Sequence, residues 1–407
     1  MFFELWVDRC DDDVLRMELV KEWLARSGDL PLNITAQCLC RKARQAPAEP
    51  LFPLVDILNS YASRWRALNL HAPSALLSRF NSGSTIPEGS GLSELTIEPS
   101  DYPVWYPVNL MSVTTTLRKL TIAIIPLSRV HIHFDQPHAP IYRLEQCTFA
   151  SMDPAEADLV PEHVAVLNLR HLAFEGNSEE RLNVLFDKVH FPRLERLEIK
   201  SSEVDLDPPL DLAVHFARWH CLLKTLSLSD RETRGMDMKK VLSQVSSLEY
   251  LDLSSSENNS AACDVLYALA DRFGSADGTV SFLPRLKKFK SFNTPPTFSL
   301  DVIPRIFGVI FDNMDFTSPA SIPKRPVLQS VTIHLNPGPD TNEMDPQTMQ
   351  KYLYLQRIGI ELEIDPPLLS SHRSNREGQN RGDQNGRFSP VFPFDSGSGS
   401  EKEPSPQ

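Results

Sequence analysis

Glycine is scarce in this chain, which holds 16 glycines among 407 residues. A phosphate-cradling loop and the nucleophile elbow G-x-S-x-G both depend on glycine, and neither motif occurs in the sequence. The zinc-protease motif H-E-x-x-H is absent as well. Acid pairs such as Asp205 and Asp207 lie in a stretch typical of an exposed loop, without the shaped pocket that general acid–base catalysis needs. These absences predict a protein that is not an enzyme and that uses no cofactor.

Cysteine is also sparse, and its spacing is not that of a redox or metal motif. Six cysteines are scattered over the first two thirds of the chain, and no two of them form C-x-x-C. The opening stretch, "MFFELWVDRCDDD", lacks the cationic segment and the cleavage site of a secretory signal. We therefore expect reduced thiols and a cytoplasmic or nuclear protein.

Long apolar runs and an excess of basic residues are both lacking. No window approaches the ~18 apolar residues that a membrane span needs. The formal net charge is -12, which disfavours the phosphates of nucleic acids and the surface of anionic membranes. We expect neither nucleic acid nor membrane as a partner.

Two groups of side chains are candidates for metal ligation. His131, His133 and Asp135 alternate along the chain and would share one face of a strand, and Cys38 and Cys40 are one residue apart. Zn²⁺ and Fe²⁺ accept such ligands. Because neither group has a further ligand cluster beside it, we interpret the first as a solvated strand face and predict no metal site.

What the sequence does contain is one short motif that recurs many times. In "FPRLERLEIK" (191–200), Leu194, Leu197 and Ile199 form the pattern L-x-x-L-x-L. Its first position recurs at Trp65, Leu92, Leu117, Leu144, Leu169, Leu194, Leu223, Leu248, Leu286, Leu328 and Leu355. The six consecutive intervals from Leu92 to Leu248 measure 25 to 29 residues, which is typical of leucine-rich repeats.

The motif predicts a strand in every unit, with the return segments forming helices. Side chains alternate between the two faces of a strand, so positions four and six point one way and positions three, five and seven the other. The apolar pair is covered only when neighbouring units stack. Residues 208–220, with Leu212, Phe216 and Trp219 on one face, and residues 261–274, which end at Gly274, have helical spacing. The fold class predicted is therefore an α/β leucine-rich-repeat solenoid of irregular repeats with a helical N-terminal cap. An ordinary α/β domain with leucine-rich strands is the alternative.

Residues 1–62 are predicted to form the helical cap. One helix spans 14–26 and stops at Gly28, and a second spans roughly 51–62, with the short strand "DLPLNI" between them. Five apolar residues of the first helix are predicted to share one buried stripe: Leu15, Leu19, Val20, Trp23 and Leu24.

This end of the chain resembles a known family. The series "ELW", "LVKEWLARSGDLPLNI", "YASRWRALNLHAP" and "LSELTI" is similar to the region after the F-box in fungal, mushroom-type F-box proteins with leucine-rich repeats. The likeness is most specific over residues 19–70. It implies repeats that recognise a substrate for ubiquitylation, and an F-box that binds the adaptor of a cullin-RING ubiquitin ligase.

The sequence departs from the family at the F-box itself. That module is a ~45-residue bundle of three helices opening with L-P-x-E, and no such motif occurs here. We expect binding of the cullin-RING adaptor only if an F-box is encoded upstream; a paralogue that has lost its F-box is the other interpretation.

The domains predicted are the cap (1–62), the solenoid (63–365) and a disordered tail (366–407). The tail contains 19 Pro, Gly or Ser among 42 residues, a composition that cannot bury enough apolar surface to order itself.

The function predicted is a monomeric, non-enzymatic protein–protein interaction module. A leucine-rich solenoid leaves its concave face open, and positions three, five and seven supply that face. The candidate binding residues of the central units are His171, Glu175, Arg196, Glu198, Lys200, Thr225, Ser227, Tyr250 and Asp252, with Ala173, Ser229 and Ser254 beside them. Arg196 and Tyr250 are the favoured contact anchors, because Arg and Tyr are enriched at interface hot spots. A structural scaffold that binds nothing through this face is the alternative.

Overall fold

Short parallel strands and helices succeed one another along the chain. The computed structural model describes residues 2–7, 13–38, 49–80, 91–100, 108–110, 116–123, 130–132, 144–150, 164–175, 179–200, 210–229, 236–254, 260–271, 282–294, 298–307, 327–335 and 345–365. All of them belong to one compact unit, Met1–Pro366. The tail predicted for 366–407 lies outside the described residues.

The described strands, numbered in chain order, vary from two to eight residues in length. They are β1 Phe2–Val7, β2 Leu32–Cys38, β3 Trp65–Ala72, β4 Glu94–Pro99, β5 Val108–Leu110, β6 Lys119–Ile122, β7 Val130–Ile132, β8 Gln146–Ala150, β9 Val164–Ala165, β10 His171–Glu175, β11 Val189–His190, β12 Arg196–Lys200, β13 Thr225–Ser229, β14 Tyr250–Ser254, β15 Lys288–Thr294, β16 Ser330–Leu335 and β17 Glu361–Asp365.

Thirteen of these strands form one open, parallel sheet. Their order is β1-β2-β3-β4-β6-β8-β10-β12-β13-β14-β15-β16-β17, so the strands of this sheet lie side by side in the order in which they occur in the chain. The four remaining strands form two separate parallel pairs, β5 with β7 and β9 with β11. The chain is thus an α/β protein with an open parallel sheet in sequential, solenoid-like order.

The described helices connect these strands. They are α1 Asp13–Arg26, α2 Phe52–Asn59, α3 Ser74–Arg79, α4 Glu179–Lys188, α5 Leu212–Trp219, α6 Met238–Ser243, α7 Ser260–Asp271, α8 Val302–Ile306 and α9 Pro346–Arg357.

Positions four and six of the motif form two buried columns along the sheet. Leu172, Leu197, Leu226 and Leu251 occupy position four of adjacent strands in register, and each is at most 1% exposed. The residues at position six of the same strands are equally buried: Phe174, Ile199, Leu228 and Leu253. The burial predicted for these two positions is confirmed in the central units. We call this side of the sheet the apolar face and the opposite side the polar face.

An aromatic cluster fills the space between the apolar face and helices α4 and α5. The ring of Trp219 on α5 lies 4.9 Å from the ring of Phe186 on α4 and 5.0 Å from that of Phe191. Phe186 in turn packs edge-on against Phe174 of β10, with 5.6 Å between ring centroids. Burial lowers the pKa of the neighbouring His215 to about 4, so this ring packs in the cluster as a neutral group.

Helix α5 is shorter than the 208–220 predicted from the sequence. Its N-cap is Asp211, whose side chain accepts a hydrogen bond from the backbone N–H of Val214 at 3.3 Å. An aspartate at this position satisfies one of the N–H groups left open at a helix start, so the helix begins at Leu212. Its predicted buried face is confirmed. Helix α7 runs over Ser260–Asp271, and the predicted stop at Gly274 lies outside the described residues.

The N-terminal segment differs from a purely helical cap. Strands β1 and β2 both lie within residues 1–62 and continue the sheet. Helix α1 ends as predicted, with Gly28 in the left-handed conformation at φ +53°.

The predicted buried stripe of α1 is wrong for two of its residues. Val20 and Leu24 are buried, but Leu19 and Trp23 are 54% and 47% exposed. The apolar spacing predicts a wide stripe along the helix, whereas only the part of the stripe that faces the rest of the fold is covered. The side chain of Leu15 is outside the described part of the structure.

The last predicted strand is also wrong. Leu355 lies in helix α9, where it is fully buried, and the strand β17 begins at Glu361. Gly359, with φ +91°, provides the turn between helix and strand. The pairing of Val331 with Leu362 and of Ile333 with Ile364 places the repeat frame four residues later than the motif at Leu355. A short L-x-x-L-x-L run matches helical spacing as well, and here the helix is formed.

A ladder of alternating charges follows position two of consecutive units. We call this set the charge ladder; its members are Arg118, Glu145, Arg170, Glu195, Lys224, Glu249 and Lys287. Backbone bonds join neighbouring members, as in Glu195 N–H to Arg170 C=O at 2.8 Å and Lys224 N–H to Glu195 C=O at 2.8 Å. Ion pairs run beside them, with Glu195 3.4 Å from Arg170 and 2.8 Å from Lys224. The side chains therefore reinforce the register that the backbone sets.

Replacing Glu195 with lysine should destabilise the protein by about 1–2 kcal/mol, because two ion pairs become two like-charge contacts. The loss, measured by chemical denaturation, should shrink between 0.1 M and 1 M salt, as the Debye length falls from ~10 Å to ~3 Å. The matched variant Glu195→Gln, which removes the charge without reversing it, should cost less. A loss that is independent of salt would contradict an electrostatic ladder.

Candidate functional site

The polar face of the sheet carries the residues predicted to bind a partner. His171 and Glu175 lie on β10; Arg196, Glu198 and Lys200 on β12; Thr225 and Ser227 on β13; and Tyr250 and Asp252 on β14. The four strands are adjacent and in register, so the fold brings all nine predicted residues together. We call these residues the central patch.

Strand β13 forms the floor of the central patch because its outward side chains are small. Ser227 lies in register between Glu198 on β12 and Asp252 on β14. It is only 9% exposed, and Ala173 on β10, in the same row, is 6% exposed. Longer side chains on both neighbouring strands therefore flank a floor of hydroxyl groups.

The β12 side of the patch is a compact ionic network around Glu198. The Glu198 carboxylate accepts hydrogen bonds from Arg196 Nε and, at 3.1 Å, interacts with His171 Nε2. Lys200 Nζ lies 3.2 Å from Glu175 and 3.9 Å from Glu198. Burial lowers the pKa of His171 despite the nearby carboxylate, so its imidazole is largely neutral at pH 7.

The β14 side contains an unsatisfied carboxylate. The Tyr250 hydroxyl donates a hydrogen bond to Asp252 Oδ2 at 3.3 Å. Asp252 Oδ1 is buried, yet it has no hydrogen-bond partner in the described part of the chain. Burial raises the pKa of Asp252 above its ordinary value, while Lys290 and Tyr250 act in the opposite direction.

The structure adds residues that the sequence interpretation missed, on the next two strands. Lys290 on β15 places its ammonium 4.5 Å from the ring centre of Phe292, and Phe292 stacks on His334 of β16 at 4.3 Å. The repeat frame of "LKKFKSF" assigns Lys290 and Phe292 to positions five and seven, so the same alternation could have found them. This pair of strands extends the central patch with a half-buried aromatic platform.

The column of buried leucines is interrupted behind this platform. Ser291 stands at position six of β15, is fully buried, and pairs with Thr294 through their hydroxyls at 2.9 Å. The register between β15 and β16 shifts between the same two residues. This irregularity ends the regular part of the repeat immediately beside the patch.

Comparison with known proteins identifies no relative. No family model, curated protein or solved structure matches this chain.

Most of the side chains proposed as metal ligands lie outside the described residues. No group of three His, Cys, Asp or Glu side chains able to hold a metal occurs among them. His133, Asp135 and Cys40 lie outside that part of the chain, and of His131 only the backbone is described. Burial raises the pKa of the Cys147 thiol, which keeps that side chain protonated.

Among the described helices, none combines the length and the apolar character needed to cross a membrane.

A cleft of about 680 Å³ lies where β3, β4, β6 and β8 begin. Its lining mixes the charges of Arg64, Arg118, Lys119 and Glu145. It shares no residue with the central patch, so the two features are separate.

Proposed function

We propose that this chain is a leucine-rich-repeat protein that binds another protein through the polar face of its sheet, centred on the central patch. The observation that carries the proposal is the composition of that face: an arginine, a tyrosine, a histidine and three carboxylates lie together on adjacent strands, backed by a fully buried apolar core. Arg and Tyr are the residue types enriched at binding hot spots. A rigid backing reduces the entropy that these side chains lose on binding.

The resemblance to F-box proteins supports a more specific proposal. By that resemblance, the bound protein is a substrate of a cullin-RING ubiquitin ligase, and an F-box would connect the repeats to the ligase adaptor. A pull-down with the adaptor tests this connection: the 407 residues should not recover it, and a version extended by an upstream F-box should. A scaffold role without ligase function is the alternative if neither protein binds the adaptor.

The double variant Arg196→Ala/Tyr250→Ala should weaken partner binding by about 2 kcal/mol or more, which corresponds to about 30-fold in Kd. The measurement is affinity purification of the tagged full chain with quantitative mass spectrometry, followed by titration of each recovered partner.

The matched control is Arg285→Ala/Tyr267→Ala. It removes the same residue types from exposed positions outside the polar face, since Arg285 precedes β15 and Tyr267 lies on α7. Partners that bind both double variants as well as the original protein would contradict the proposed surface. Loss of all partners on removal of 366–407 would assign binding to the tail instead.

A further inference from the structure

We infer that the cleft where β3, β4, β6 and β8 begin binds one carboxylate side chain of a partner protein, an aspartate or a glutamate, between Arg66 and Arg118. The inference does not depend on the proposed function, because this cleft shares no residue with the central patch. We call the position between the two arginines the ladder gap.

Ser93 occupies the ladder gap, at the place where the charge ladder would have an acid. Its N–H donates to Arg66 C=O at 2.8 Å, and Arg118 N–H donates to Ser93 C=O at 2.8 Å. The same two backbone bonds, of the same length, flank Glu195 further along the sheet. Ser93 therefore stands between two cations as Glu195 does, but it has no charge.

The cleft is open at the ladder gap. Its volume is about 680 Å³, and both arginines line it together with Ser93 and Gly91. A Cβ atom added to Gly91 would meet no described atom within 4 Å apart from its chain neighbours, so there is room beside the serine. The Ser93 hydroxyl donates to Arg66 C=O at 3.0 Å, which holds this short side chain against the sheet. A longer side chain can therefore enter from outside.

Arg66 is the cation of the cleft that lacks a counter-charge. Its side chain is exposed, and within the described part of the chain it makes no ion pair. The register of β3 against β2 shifts at this residue, between the partners of Leu32 and Asn33. Arg66 is thus the extra residue of a bulge, a feature that redirects a side chain out of the regular ladder.

The other charges of the cleft have neighbours of opposite sign. Arg118 is paired on one side only, with Glu145 at 3.6 Å. Glu94 and Lys119 are direct neighbours in register on β4 and β6. The whole lining contains four Arg or Lys side chains and three carboxylates. One further carboxylate would make it neutral and would lie between two arginines.

A single carboxylate suits the ladder gap better than a polyanion does. Glu195 shows the pairing at the equivalent position, where it lies 3.4 Å from Arg170 and 2.8 Å from Lys224. The net charge of -12 on the whole chain disfavours nucleic acids and anionic membranes. Charge complementarity therefore favours a protein segment that presents one Asp or Glu.

A first experiment probes the ladder gap without a partner. In the full chain, Ser93→Glu supplies the missing carboxylate, and Ser93→Gln supplies a neutral side chain of the same shape. Ser93→Glu should have the higher melting temperature by about 1–2 °C, since exposed ion pairs contribute modestly. The difference should vanish at about 1 M salt, and also when Arg66→Gln and Arg118→Gln are added to both variants. Equal melting temperatures, or a higher one for Ser93→Gln, would overturn the inference.

A second experiment identifies the ligand with a random peptide library displayed on phage. The library is selected on the full chain and then depleted on Ser93→Glu, whose own carboxylate fills the gap. The remaining peptides should contain Asp or Glu, and changing that acid to its amide should weaken binding about ten-fold or more. Arg66→Gln should weaken binding equally. Arg357→Gln is the matched control and should leave it unchanged, since Arg357 is exposed on α9 and does not line the cleft.

Three outcomes of the selection would overturn the inference: no peptide survives the depletion, the surviving peptides lack an acid, or their affinity is indifferent to Arg66→Gln. None of these outcomes bears on the proposed function, which Arg196→Ala/Tyr250→Ala tests. That double variant should bind the acidic peptides as well as the original protein does. The melting temperature of Arg66→Gln should be unchanged, because the replaced side chain is exposed.

Discussion

Replacing Trp219 with alanine should lower the free energy of unfolding by about 3–5 kcal/mol. The side chain is fully buried, and its ring contacts both Phe186 and Phe191. Its Nε1–H donates to the carbonyl of Val189 at 3.0 Å, so the truncation also leaves a buried carbonyl without its donor. The measurement is urea or guanidinium denaturation followed by circular dichroism.

Val214 provides the matched control on the same helix. Its side chain is 51% exposed, so Val214→Ala should change the free energy of unfolding by no more than about 0.5 kcal/mol. Trp219→Phe, which keeps an aromatic ring and removes the donor, should fall between the two. A loss below about 1 kcal/mol for Trp219→Ala would mean that the aromatic cluster does not hold α4 and α5 on the sheet.

Replacing Arg64 with alanine should cost about 3 kcal/mol and release the C-terminal end of α1. The guanidinium donates to Leu30 C=O at 2.9 and 3.1 Å, to Leu24 C=O at 3.3 Å and to Ser27 Oγ at 2.5 Å. Ser27 is itself 5% exposed, and its hydroxyl still donates to Leu24 C=O at 2.6 Å in the variant, so the cost comes from the lost charge-assisted bonds of the guanidinium. A cation at this helix end is also favoured by the helix dipole.

Hydrogen exchange separates the local effect of Arg64→Ala from a global one. Amides of α1 should exchange faster, while those of β12 to β14 should change only with the overall stability. Arg66→Ala is the control, because Arg66 is exposed and lies two residues later, in strand β3. Unchanged protection of α1 in Arg64→Ala would show that the helix is held by its apolar contacts alone.

The leucine periodicity predicted the sheet well, because the requirement behind it applies within each unit. Each unit must bury positions four and six, so the leucine spacing fixes where strands such as β10 and β12 lie and which residues share a face. It failed at Leu355, where the same spacing suits a helix, and at Leu19 and Trp23, where burial depends on how closely another element approaches. Neither outcome is encoded in spacing alone.

The sequence predicted which residues lie together in the central patch, but not how their side chains bond to one another. Alternation placed Arg196, Glu198, Tyr250 and Asp252 on one face, as the structure has them. Which carboxylate oxygen is unpaired depends on side-chain conformations across three strands. The stacking of Phe292 on His334 likewise requires the register of β15 against β16, which the irregular intervals after Leu248 conceal.

The charge ladder restricts how this array can change in length. Between Arg118 and Lys287 each unit differs in sign from its two neighbours. Loss of one unit would set two like charges side by side, for example Arg170 beside Lys224, whereas loss of two adjacent units would preserve the alternation. Like charges directly opposite on adjacent strands are destabilising. We therefore expect duplications or deletions of repeat units within the charge ladder to be tolerated best when they involve an even number of units.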